Sequence, residues 1–204
     1  MVDFRRHLPS TALVVIVMAV IAAFAAIFIF AGVYNIGADA PHSTLVYNIL
    51  DTLRDRSIAS YSRGVVPPKD LADPKRISAG AGLYNEMCTG CHLGPGLEPS
   101  EMSQGLYPAA PQLARGDDLS AAEQFWTIKH GVKLSAMPAW GKTHNDELIW
   151  DMVAFIRQMP KLSPEKYKAA VASAPRDHEE MMKDMQGGDK APQPQAHAGE
   201  EHRN

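Results

Sequence analysis

The chain has 204 residues and a net charge of -3 at neutral pH, from 20 Lys and Arg against 23 Asp and Glu. That balance supplies no basic surface, so nucleic acid is excluded as an expected partner. Only two cysteines occur, which excludes a disulfide-rich scaffold.

Thr11 to Val33 carries no charged residue and is dominated by Ala, Val, Ile and Phe. A helix of about 23 residues is about 34 Å long, enough to cross a hydrocarbon core of about 30 Å with slight tilt. Arg5 and Arg6 precede it, opposed only by Asp3. The positive flank predicts a cytoplasmic N-terminus (residues 1–10), a span over 11–34 and everything later outside, with Tyr34 as interfacial anchor. A cleaved signal peptide is the rival, because Ala38-Asp39-Ala40 resembles a cleavage site. The long apolar run and Pro41 just past that site favour an uncleaved anchor. No cysteine lies nearby to carry a lipid.

Residues 35–69 read as a juxtamembrane helix and a linker. From Ser43 to about Ala59, Leu45, Val46, Ile49, Leu50 and Leu53 recur at helical spacing, with Asp51, Arg54, Asp55 and Arg56 on the other face. Ser43 or Thr44 caps it. Its apolar face suits a membrane surface, the following domain or a partner subunit, and a solvated connector is equally open. Val65-Val66-Pro67-Pro68 then breaks the helix.

Residues 70–160 have the size of one small domain, all of it predicted helical. Asp73-Pro74 opens a helix through Ile77, Gly80, Leu83, Tyr84 and Met87. It runs into Cys88-Thr89-Gly90-Cys91-His92. A C-x-x-C-H pentapeptide is a c-type haem attachment signal. Two thiols on one turn can each add to a vinyl group of one porphyrin, and the next residue offers its imidazole to the iron as proximal ligand. A thioredoxin-like pair would need a preceding strand–helix pattern, and a zinc site a second cysteine pair. Attachment would consume both thiols, leaving the cofactor as the staple of a modest core.

The stretch from Leu93 to Leu113, with Gly94, Pro95, Gly96, Pro99, Gly105, Pro108 and Pro111, reads as loop without an element. Ser120 and Glu123 form a capping box for a helix that ends at Gly131. Phe125, Trp126 and Ile128 supply its apolar face. A last domain helix is predicted from about Asp146 to Met159, with Leu148, Ile149, Met152, Val153, Phe155 and Ile156 buried and Pro160 as stop. Residues 161–204 read as a short helix from Ser163-Pro164 to Ala172 and a disordered polar tail. The tail's His178, Met181, Met182, Met185, His197 and His202 are residue types that bind copper weakly, though the composition is that of a solvated tail.

In order and content, residues 72–160 resemble a bacterial class I cytochrome c, especially the single-haem domains of cytochrome oxidase subunits. The resemblance implies an all-α class I cytochrome c domain behind an N-terminal transmembrane helix, with one haem c bound covalently through Cys88 and Cys91. It implies His92 and Met137 as axial ligands. Met137, in Ser135-Ala136-Met137-Pro138, follows a helix stop and precedes a Pro; Met102 is the rival thioether, and His130 and His144 are rival distal ligands. Met87, Met152 and Met159 fall on helices and read as core or helix surface. The family's pairing of a first-helix Gly with a last-helix aromatic falls on Gly80 and Phe155, with Tyr84 nearby. Its proline carbonyl that holds the proximal imidazole falls on Pro111, with Pro95 as competitor. Trp126 and Trp140 read as haem-crevice wall or core, and Trp140 as a candidate donor to a propionate.

His/Met ligation leaves no open iron position, so the expected function is one-electron transfer and not bond-making. The expected setting is a bacterial inner membrane with the haem domain in the periplasm. The donor would be a quinol-oxidising complex or dehydrogenase, and the acceptor an oxidase or periplasmic reductase. The chain would be a free carrier or an electron-entry subunit of a larger complex. A haem peroxidase or gas-binding sensor is the alternative and would need a displaceable distal ligand.

Overall fold

A computed structural model describes residues 10–175. The chain divides into two compact units, with the boundary between Pro41 and His42. Among the described residues every regular element is helical. Arg5, Arg6 and the His/Met-rich tail lie outside the described residues.

In the first unit, α1 spans Thr11–Phe30. Ser10 caps it by accepting from the Leu13 N–H at 3.2 Å. Its mean hydropathy is 3.2 and none of its side chains is buried. The helix stops at Phe30, short of the expected Val33. Gly32 takes a left-handed φ of +62° there, and the Val33 N–H reaches back to the Phe28 carbonyl. Its 20 residues still measure about 30 Å, the thickness of a hydrocarbon core.

The second unit holds α2 (Thr44–Tyr61), α3 (Pro74–Met87), α4 (Thr89–His92), α5 (Glu101–Gln104), α6 (Ala121–His130), α7 (Asp146–Ile156) and α8 (Pro164–Ala172). Short 3₁₀ turns lie at Leu113–Arg115, Trp140–Lys142 and Met159–Lys161. The core is centred on α7, where Ile149, Met152, Val153 and Phe155 are fully buried. α3 crosses it at Gly80. A Cβ on Gly80 would lie 2.6 Å from the Asp151 carbonyl carbon and 2.9 Å from Phe155 Cβ. Only hydrogen lets the helices approach so closely. Beside the crossing, Arg76 pairs with Glu147 at 2.6 Å and Asp151 at 2.8 Å. Its Nε pairs with Asp70 at 3.1 Å. α6 joins the core by stacking Phe125 on Trp150 at 4.2 Å.

Two expectations, the element-free 93–113 stretch and the length of α7, are corrected. α2 forms as read, and its apolar face, whose docking the sequence leaves open, is exposed in this chain: Leu45 is 70% exposed, Ile49 57% and Leu53 63%. The helix is held at its C-terminal end instead, by buried Ile58 and Ser62 and by Tyr61 stacked on Trp126 at 5.9 Å. Trp126 consequently lies between Tyr61 and His130, half-buried outside the core. The 93–113 stretch contains an element after all. Ser100 caps α5 by accepting from Ser103 N–H at 2.9 Å, a local bond that offsets the surrounding Pro and Gly. α7 ends at Ile156 and not Met159, because the chain tightens through the Gln158 N–H to Phe155 carbonyl bond.

α8 packs against α3. Its Tyr167 is 2% exposed and its ring centroid lies 6.1 Å from that of Phe155.

Candidate haem site

α3 continues almost without a break into α4. Cys88 is the junction, and its N–H still bonds the Tyr84 carbonyl. The N–H groups of Cys91 and His92 both return to the Cys88 carbonyl, at 3.2 and 2.8 Å. This single turn sets the two cysteines and the histidine on one short scaffold. Both thiols are free. Cys88 is buried, which, with the nearby Cys91, pushes its pKa up to about 12 and keeps it a neutral thiol.

His92 is partly buried, and its Nδ1 lies 2.9 Å from the Pro111 carbonyl. A carbonyl only accepts, so Nδ1 carries the proton and Nε2 keeps the lone pair a metal needs. Burial lowers the pKa of His92 against the opposing effect of the Pro111 bond, which favours the neutral, ligating form. Pro111, read from the sequence, is thus brought to the imidazole. Pro95, its competitor, makes no such bond.

The residues after α4 are locked as well. Leu93 has φ +58°, a conformation costly for a side chain of its size. Tyr84, fully buried, donates from Oη to the Leu93 carbonyl at 2.6 Å and holds it there. Thr89 Oγ1 donates to the Asn85 carbonyl at 2.6 Å. Sequence reasoning noted Tyr84 but missed this bond and missed Asn85, because neither residue type signals a partner in a loop.

Met137 lies in a tight turn after α6. Its N–H donates to Ser135 Oγ and its carbonyl accepts from Val132 N–H, each at 3.1 Å. Ser135 Oγ donates in turn to the Val132 carbonyl at 2.7 Å. Gly131 ends α6 with φ +66°, and a Cβ there would sit 2.6 Å from the Met137 carbonyl. The Met137 backbone is therefore fixed by its own turn. Met137 and Trp140 both pack on the apolar core that contains Cys88. Trp140 meets His144 edge-on at 5.5 Å, and His144 Nδ1 pairs with Thr143 Oγ1 at 2.9 Å.

Met102, the rival thioether, stays beside the C-x-x-C-H turn. It lies on α5, 60% exposed, with Sδ 3.3 Å from Cys91 Sγ. His130 is exposed at the end of α6 against Trp126. Met152 and Met159 are fully buried in the core.

Residues 75–156 match the model of the family described as cytochrome C oxidase, cbb3-type, subunit III. They form a class I c-type cytochrome domain. No curated protein matches the chain, and no solved structure does. The match covers α3 through α7, from just after the Asp73 cap to the end of the core helix. A cytochrome domain of this kind implies haem c and electron transfer, not catalysis. The donor set fits that group: two thiols outside any disulfide, an imidazole protonated at Nδ1 toward Pro111, and a thioether on a fixed turn. When bound, the haem supplies a one-electron couple. Toward such a group this chain would hold the His92 imidazole through its Nδ1 bond to Pro111 and present Met137 from its fixed turn.

Proposed function

We propose that this chain is a membrane-tethered c-type cytochrome carrying one haem c, covalently bound through Cys88 and Cys91. His92 and Met137 are the axial ligands, Pro111 orients His92, and Trp140 walls the crevice. The protein takes one electron from a reduced donor and gives one to an oxidised acceptor, with no bond made or broken and no proton required. The donor is a quinol-oxidising complex or dehydrogenase, the acceptor an oxidase or periplasmic reductase. α1 is a single-pass anchor that keeps the domain on the periplasmic face of a bacterial inner membrane. It confines the search for membrane partners to a surface and raises their effective concentration.

The observation that carries this reading is the 2.9 Å contact between His92 Nδ1 and the Pro111 carbonyl, beside two unpaired cysteines on one turn. It prepares one nitrogen for a metal at the position where attachment chemistry requires it.

The test is spectroscopic, on holoprotein extracted from membranes. Haem that survives denaturation, a low-spin spectrum and the thioether-to-ferric-iron band are expected. The ferrous form should resist carbon monoxide. Rapid, complete carbon monoxide binding would overturn the electron-transfer reading in favour of a gas-binding or peroxidase site. Stoichiometric co-purification with a larger complex after detergent extraction would identify a fixed subunit, and purification alone a carrier.

A further inference from the structure

We infer that α8, which lies beyond the matched segment, is a strap on the proximal side of the haem site, with Tyr167 as its positioning residue. The inference rests on His92 being the proximal ligand.

Three contacts converge on the residues flanking His92. The Tyr167 ring lies against Gly94, where a Cβ would be 3.0 Å from Cζ and 3.2 Å from Oη. Pro164, at the start of α8, covers Gly96, where a Cβ would be 2.6 Å from the Pro164 Cβ. Gly96 has φ +75°, so the chain turns under the strap at a residue without a side chain. Tyr167 Oη also donates to Asn85 Oδ1 at 3.1 Å, and the Asn85 carbonyl accepts from Thr89, inside the C-x-x-C-H turn. Tyr167 therefore grips both sides of the motif: Asn85 three residues before Cys88, and Gly94 two residues after His92. Its hydroxyl is a donor at neutral pH, since burial pushes its pKa up to about 12.

The consequence for the ligand is geometric. His92 is aimed by its backbone, which belongs to the gripped turn, and by Nδ1, which bonds Pro111 on a separate loop. If the 93–96 loop shifts, the Nδ1–Pro111 bond lengthens. That bond makes the imidazole a stronger donor to iron and so favours the ferric state. Loosening the strap raises the midpoint potential. A purely structural loss has the opposite sign: it opens the haem edge to water, which stabilises ferric charge and lowers the potential.

The experiment uses full-length holoprotein in detergent. Midpoint potentials are measured for the parent, Tyr167→Leu and Tyr167→Phe, with the proximal imidazole followed by proton NMR. Tyr167→Leu removes ring and hydroxyl and should raise the potential and shift the imidazole signals. An unchanged or lower potential in this variant overturns the inference. If Tyr167→Leu yields no holoprotein, Tyr167→Phe decides, since it keeps the ring and loses only the Asn85 bond. A smaller rise then supports the strap, and no rise overturns it. A parent protein without a His/Met low-spin spectrum would instead mean that the functional reading has failed.

Discussion

At the scale of single residues, Met137 and His92 carry the sharpest predictions. Met137→His should keep the haem attached and low-spin and lower the midpoint potential, because imidazole stabilises ferric iron better than a thioether does. Met137→Ala should open the site to carbon monoxide. Met102→Ala should leave the thioether-to-iron band intact, since Met102 is 60% exposed on α5 whereas Met137 is held by its own turn. Loss of that band in Met102→Ala, with retention in Met137→Ala, would reverse the assignment. Glu123 offers a pH test at the same scale. Its pKa is lowered chiefly by the Ser120 hydroxyl, then by the Ser120 backbone N–H. A depressed carboxylate contributes stability that is present above its unfolded value of about 4.3 and lost as pH falls through the folded one. Glu123→Gln should therefore be less stable than the parent at neutral pH, and the gap should close on acidification through that window, as read by thermal unfolding. The capping box and the C-x-x-C-H turn were legible because every partner lies within a few positions along the chain. The Tyr84 bond to Leu93 was not, because nothing in a tyrosine marks which carbonyl it will reach.

Among elements, the α3–α7 crossing is the tightest contact. Gly80→Ala would drive a methyl group into the Asp151 carbonyl and Phe155. It should destabilise the fold by about 3 kcal/mol, since helices this close part only by unpacking the core; denaturant unfolding of the holoprotein measures it. α2 makes the opposite point. Its stripe of Leu45, Ile49 and Leu53 has the periodicity of a buried face yet is exposed, whereas Ile58, outside that stripe, is buried at 5%. Ile58→Ala should cost about 2–5 kcal/mol and Ile49→Ser no more than about 0.5 kcal/mol. Equal effects at the two positions would contradict this packing. Periodicity revealed that α2 is a helix. It could not reveal which side docks, because docking depends on where α6 presents Trp126.

For the molecule as a whole, the question is where the domain is held. α1 is 20 residues long with no buried side chain. The protein should therefore sediment with membranes and be released by detergent and not by high salt. Ile21→Asp places a charge at mid-span and costs about 3 kcal/mol of insertion on the biological scale. It should reduce the membrane-bound fraction, measured by fractionation of holoprotein. An unaltered distribution would mean that α1 is not what anchors the chain.

What the amino-acid sequence determined by itself is what short-range chemistry determines. Two thiols and an imidazole at fixed spacing announce the cofactor. Ser10, Asp73, Ser120 and Ser163 each cap a helix that begins at the next residue. An uncharged apolar run announces a length that suits a bilayer. Tertiary structure alone decided the outward turn of the α2 stripe, the Arg76 pairs across α3 and α7, and the grip of Tyr167 on Asn85 and Gly94. The Arg76 and Tyr167 hydrogen bonds join residues 71 to 82 positions apart. Their partners are chosen by the angles at which helices pack, and helical periodicity carries no record of those angles.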